Sequence, residues 1–123
     1  MARIRRTALD KLWAEVIKLR DDYTCQRCGK KYKPGDRGLN AAHVVSRRYR
    51  ATRYLPANGV SLCTGCHLFM HARPDELRRW FEARYPFKYS FLLEATKWKP
   101  KSLEEERRIL EETRRVLKEG KAS

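Results

Sequence analysis

Asn58-Gly59-Val60-Ser61-Leu62-Cys63-Thr64-Gly65-Cys66-His67-Leu68-Phe69-Met70-His71 decides how the rest of the chain is read. Pro56, Asn58 and Gly59 are turn formers. Val60 to Leu62 is a short apolar run of strand type. Cys63-Thr-Gly-Cys66 then sets two thiols at the start of a segment that reads as helix through about Ala72. On that helix His67 and His71 are spaced i,i+4. This spacing puts both imidazoles on one face, where two can share a metal ion.

Working outward, a second pair of thiols, Cys25-Gln-Arg-Cys28, precedes Cys63 by 34 intervening residues. Two C-x2-C turns in a chain without a secretory pattern point to tetrahedral thiolate coordination of a structural zinc, which contributes directly to folding. The intervening stretch is long enough to hold a hairpin that returns the second pair to the first. Disulfides fit an exported chain, and a redox C-x2-C explains one pair only. The c-type haem pattern in Cys63-x-x-Cys66-His67 needs export and leaves Cys25 and Cys28 unexplained. Within the intervening stretch, Lys30 to Gly38 reads as loop and Ala41 to Val45 as a short strand. His43 lies on that strand, and His43, His67 and His71 are the chain's three histidines. A neutral imidazole near pH 7 can take a proton from water.

Ala41-Ala42-His43 followed by Asn58-Gly59-Val60-Ser61-Leu62-Cys63-x-x-Cys66-His67 resembles the signature of the HNH nuclease family, over about residues 23–72. The text around His43, with Ser46-Arg47-Arg48 after it, is also similar to small phage-encoded HNH and recombination proteins. The resemblance implies an α+β fold: a small ββα-metal core with a structural zinc held by four cysteines, flanked by N-terminal and C-terminal helices. It implies His43 as general base, Asn58 as the residue that fixes the base-bearing loop, and His67 as a ligand of a catalytic metal. His71 resembles the additional helix histidine of colicin-type members. The implied activity is metal-dependent hydrolysis of DNA phosphodiester bonds, with Mg2+ or Mn2+ as the default catalytic ion and Ni2+ or Zn2+ also accepted by a histidine pair. The pattern departs from the family at Ala42, where many members carry an Asp or another ligand. Three readings follow: a more open metal site filled by water, phosphate or another side chain; His43 as a ligand; or a site that binds without cutting. The last is the alternative function, a noncatalytic zinc-containing nucleic-acid-binding protein.

Charge agrees with a polyanionic partner. The formal net charge is +14, and Ser102–Ser123 holds six basic and six acidic residues, so the excess lies wholly in the first 101. Such a field attracts nucleic acid. Arg47, Arg48, Arg50 and Arg53 follow the candidate base, interleaved with Tyr49 and Tyr54, and read as an irregular loop that clamps the DNA backbone. Hydrophobic residues make up 41% of the chain, which excludes disorder by composition. No apolar run approaches a membrane span. The start, MARIRRTALDKLW, lacks the apolar run of a secretory signal, so a cytoplasmic location is expected, in the host cell if phage-encoded.

The flanks are helical. Thr7 with Asp10 resembles a capping box, and Leu9, Leu12, Trp13, Val16 and Ile17 recur at helical spacing over 8–20. Pro74 and Asp75 open another helix, which Pro86 ends, and Phe87 to Thr96 is ambiguous. Trp13, Trp80 and Trp98 read as core. Residues 1–101 form the basic domain. Residues 102–123 form a charged helix with a Ser102/Glu105 box, Glu104–Arg108 and Glu111–Arg115 pairs, and a stop at Gly120. It packs on the domain or serves as a contact for a second copy or a larger phage DNA-processing complex.

Overall fold

The computed structural model describes residues 6–122; residues 1–5, where the segment read as lacking a secretory signal begins, lie outside them. Helix α1 (Ala8–Arg20) starts where expected, because Thr7 Oγ1 accepts from Asp10 N–H and the Asp10 carboxylate accepts from Thr7 N–H, at 3.1 and 2.7 Å. After α1 the chain reverses through Asp22 and Tyr23, both at positive φ. Strand β1 (Leu39–His43) pairs antiparallel with β2 (Gly59–Cys63), with His43 opposite Gly59 and Leu39 opposite Cys63. Between the strands lies a short helix, α2 (Arg50–Arg53). Helix α3 (Thr64–His71) follows β2 directly. Then come α4 (Pro74–Arg84), α5 (Lys88–Ala95) and α6 (Leu103–Ala122). The architecture is α+β.

The two-stranded sheet is covered on both faces. Toward α1, Ala41 packs beside Leu9, Trp13 and Ile17, and α6 adds Leu110 to the same cluster. On the other face, Ala42, Val60 and Leu62 meet Cys66 and Met70 of α3. Alternate residues of a strand point to opposite faces, which is why Ala41 and Ala42 separate in this way. Gly59 is needed for the first contact: a Cβ there would stand 2.5 Å from Trp13 Cζ2 and 2.7 Å from Ile17 Cδ1. A third cluster, Val45, Phe81 and Leu92, joins the connection between the strands to α4 and α5.

Several expectations need correction. Strand β1 is shifted two residues toward the N-terminus, because the backbone at Val44 and Val45 turns to Asn58 instead of continuing the ladder. The arginine segment is not wholly irregular, since Arg50–Arg53 form α2. The ambiguous run at 87–96 is largely helix, with Leu92 and Ala95 buried. Gly120 does not stop α6, which continues to Ala122. Its ion pairs also differ. Arg108 reaches Glu105, and Arg115 reaches Glu112 and Glu119, all within reach on neighbouring turns. Trp13 is core, whereas Trp80 is half-buried and Trp98 is exposed against Phe91. Among the described residues no helix is long and apolar enough to cross a membrane.

Candidate functional site

The two C-x2-C turns meet. The Sγ atoms of Cys25, Cys28, Cys63 and Cys66 all lie within 4.8 Å of one another, and Cys28 and Cys63 are 3.8 Å apart. A tetrahedron with Zn–S bonds of about 2.3 Å has S···S edges of about 3.8 Å, so the four thiols can hold a metal ion and fit zinc. Each turn also points a backbone N–H at its first sulfur: Cys28 to Cys25 and Cys66 to Cys63, both 3.4 Å. Gly29 supplies the positive φ (81°) that closes the first turn. Burial pushes the Cys25 thiol up, but the N–H groups of Cys28, Cys63 and Arg27 bring it down to about 6, whereas burial pushes the Cys66 thiol up to about 12. Arg27 Nη1 donates to Cys66 Sγ at 3.4 Å, adding a cation beside the sulfurs.

This centre anchors the start of α3, and with it His67. On the α1 side of the sheet is a cleft of about 180 Å³ lined by His43, His67, Arg47, Asp10, Lys18 and Arg6. His43 is gripped on two sides. Its ring stacks on Trp13, with centroids 3.9 Å apart and planes 9° from parallel. Its Nε2 lies 3.0 Å from the carbonyl oxygen of Arg53. A carbonyl only accepts, so Nε2 carries the hydrogen and Nδ1 keeps its lone pair. Burial is the main influence on this ring and lowers its pKa, which keeps it neutral.

Asn58 holds the loop that supplies this carbonyl. Its side chain is buried. Oδ1 accepts from Val45 N–H at 2.8 Å, and Nδ2 donates to the carbonyls of Val45 and Thr52, each at 3.0 Å. One amide therefore ties both ends of the segment after β1 together, one residue before Arg53.

The other sequence candidates are placed less uniformly. The rings of His67 and His71 stand edge-on, 6.2 Å between centroids, near the upper end of what one ion bridges with bonds of about 2.1 Å. Burial, then the neighbouring His71, lowers the pKa of His67. His67 lines the cleft; His71 is exposed and does not. Ala42 does not line it either, being buried in the apolar cluster on the opposite face. Of the four arginines, Arg47 lines the cleft and Arg48 is exposed. Arg53 and Arg50 turn inward, which corrects the four-arginine clamp. Arg53 Nε and Nη2 donate to the Asp10 carboxylate at 3.0 and 2.6 Å. Arg50 Nη2 donates to the Lys101 carbonyl at 2.9 Å, and Nη1 stands 3.5 Å from the buried Glu106 carboxylate.

Asp10, Lys18 and Arg6 also line the cleft, although no motif in the sequence marks them for that role. Asp10 and Lys18 belong to an i,i+4 row on α1, Asp10–Ala14–Lys18, beside the apolar stripe. That row was the available signal, but only tertiary packing shows that it faces His43. Burial opposes the Asp10 carboxylate, yet hydrogen bonds from Arg53 and Thr7 hold its pKa below the usual range.

No protein-family model, curated protein or solved structure matches this chain.

Proposed function

We propose that the chain is a metal-dependent HNH-type endonuclease that hydrolyses DNA phosphodiester bonds, built on a ββα core of β1, β2 and α3. The observation that carries this reading is His43: a neutral imidazole oriented by Trp13 and the Arg53 carbonyl, with Nδ1 left to accept a proton, in a basic cleft shared with His67. The cysteine cluster, read as a structural zinc, fixes the helix that carries His67.

His43 Nδ1 takes a proton from water as the water oxygen attacks phosphorus in line; the P–O3′ bond breaks, and the 3′-oxygen leaves with the bonding electron pair and takes a proton from solvent. His67 and His71 are the residues that would hold a catalytic cation. Bound there, such a cation would supply positive charge to the phosphate. Two imidazoles suit Mn2+, Ni2+ or Zn2+ better than Mg2+, which favours oxygen ligands. Asn58 acts through the loop and not on substrate.

The alternative, a noncatalytic zinc-containing nucleic-acid-binding protein, has one observation on its side. Outside the cysteine cluster, no three histidine, cysteine or carboxylate ligand atoms converge among the described residues. Incubation with supercoiled plasmid under Mg2+, Mn2+ and Ni2+ separates the two. The nuclease reading predicts ion-dependent nicked or linear DNA with 5′-phosphate ends. Tight binding with no cutting under any ion, on plasmid and on branched DNA, selects the alternative.

A further inference from the structure

The cleft beside His43 carries more positive charge than holding a base requires. Lys18 is half-buried, and the charge acting on it is another cation, Arg6. Arg47 lies close enough to His43 to disfavour its protonated form. Asp10, the carboxylate that lines the cleft among the described residues, already accepts two hydrogen bonds from Arg53 and two from Thr7. A half-buried ammonium in a cleft whose lining includes two further cations, Arg6 and Arg47, is a setting that favours an anion.

We propose that Arg6, Lys18 and Arg47 form a phosphate-binding site in this cleft, with Lys18 contacting the DNA phosphate that is cut. Phosphate binding rests on the cleft alone, and the assignment of that phosphate as the one cut rests on the nuclease reading. Burial, then Arg6, lowers the Lys18 pKa, the direction expected for an ammonium kept partly out of water before its counter-ion arrives. Lys18 is held by helix α1, the same helix that supplies Trp13 to His43, so the phosphate contact and the base share one rigid support. An ammonium here supplies positive charge from the protein itself.

The test uses the zinc-loaded chain and a short DNA duplex without added divalent ion. Affinity is measured over a series of salt concentrations for wild type, Lys18→Gln, Lys18→Arg and Arg6→Gln, with Lys118→Gln on the neutral C-terminal helix as control. Single-turnover plasmid cleavage is measured in parallel with the divalent ion that supports it. Lys18→Gln is expected to keep its melting temperature and zinc, and to reduce the salt slope of log K by about 0.9. Cleavage should slow on the order of ten- to hundredfold, with Lys18→Arg recovering most of it. Arg6→Gln should reduce the slope in the same sense. An unchanged slope and rate in Lys18→Gln, with wild type cutting normally, overturns the site and leaves the nuclease reading standing. A slower rate with an unchanged slope overturns the phosphate contact. A wild type that never cuts, while Lys18→Gln still reduces the slope, overturns the nuclease reading and leaves the phosphate site standing.

Discussion

His43, Trp13 and Asn58 show how single residues make the site. Burial lowers the His43 pKa, so below its ordinary value of 6.5 the unfolded chain holds more protons than the folded one. Stability contributed by neutral His43 is therefore present above pH 6.5 and lost as pH falls toward the folded pKa. Urea unfolding between pH 5 and pH 7.5 or so should show wild-type stability rising with pH more steeply than that of His43→Gln. If cleavage uses the same group, kcat/KM should rise with pH to a plateau, with its acidic limb centred below 6.5. Asn58→Ala removes three buried hydrogen bonds and strands the Val45 N–H and two carbonyls. We expect a loss of about 3 kcal/mol in denaturant unfolding, with zinc content unchanged. Ala42→Asp distinguishes the observed packing from the family pattern. An aspartate there would enter the cluster of Leu39, Val60, Leu62 and Met70, costing about 3 kcal/mol in stability instead of adding a ligand to the cleft.

At the scale of elements, most of the framework was legible because its signals are local. The Thr7–Asp10 box and apolar spacing mark α1, and two C-x2-C turns mark the metal cluster. The limits of β1 were less legible. Val44 and Val45 have strand-like side chains, but Asn58 captures the Val45 backbone thirteen residues away. The inward turn of Arg50 and Arg53 was hidden for the same reason, since Glu106 and Asp10 reach them only after α6 and α1 have packed. The cysteine cluster links β2 and α3 to the turn after α1, and a metal held there should support the whole arrangement. We predict one zinc per chain by elemental analysis and a large drop in melting temperature on chelation or in Cys25→Ser, with loss of any DNA cleavage. Gly59→Ala tests the approach of β2 to α1. The added methyl meets Trp13 and Ile17, and should cost about 2 kcal/mol or more while disturbing the ring that supports His43.

Over the whole molecule, the charge asymmetry seen in the sequence takes physical form. Helix α6 carries six basic and six acidic residues and lays Leu110 against α1, so the net positive charge belongs to the rest of the chain. Helix α6 packs on its own chain through Leu110 and Leu117, while Leu103 and Val116 remain exposed. A chain with this field should bind DNA with strong salt dependence. Its affinity should fall on the order of a thousandfold between about 50 and 200 mM salt if about six phosphates are neutralised. Plasmid nicking by wild type and His43→Ala under matched conditions tests most directly whether His43 is the base of a metal-dependent nuclease. Both proteins should first be shown to hold one zinc and to bind the plasmid equally. Cutting by wild type that falls by two or more orders of magnitude in His43→Ala is the predicted result. Equal cutting by the two proteins, or none by wild type with any divalent ion on any DNA form, would contradict it.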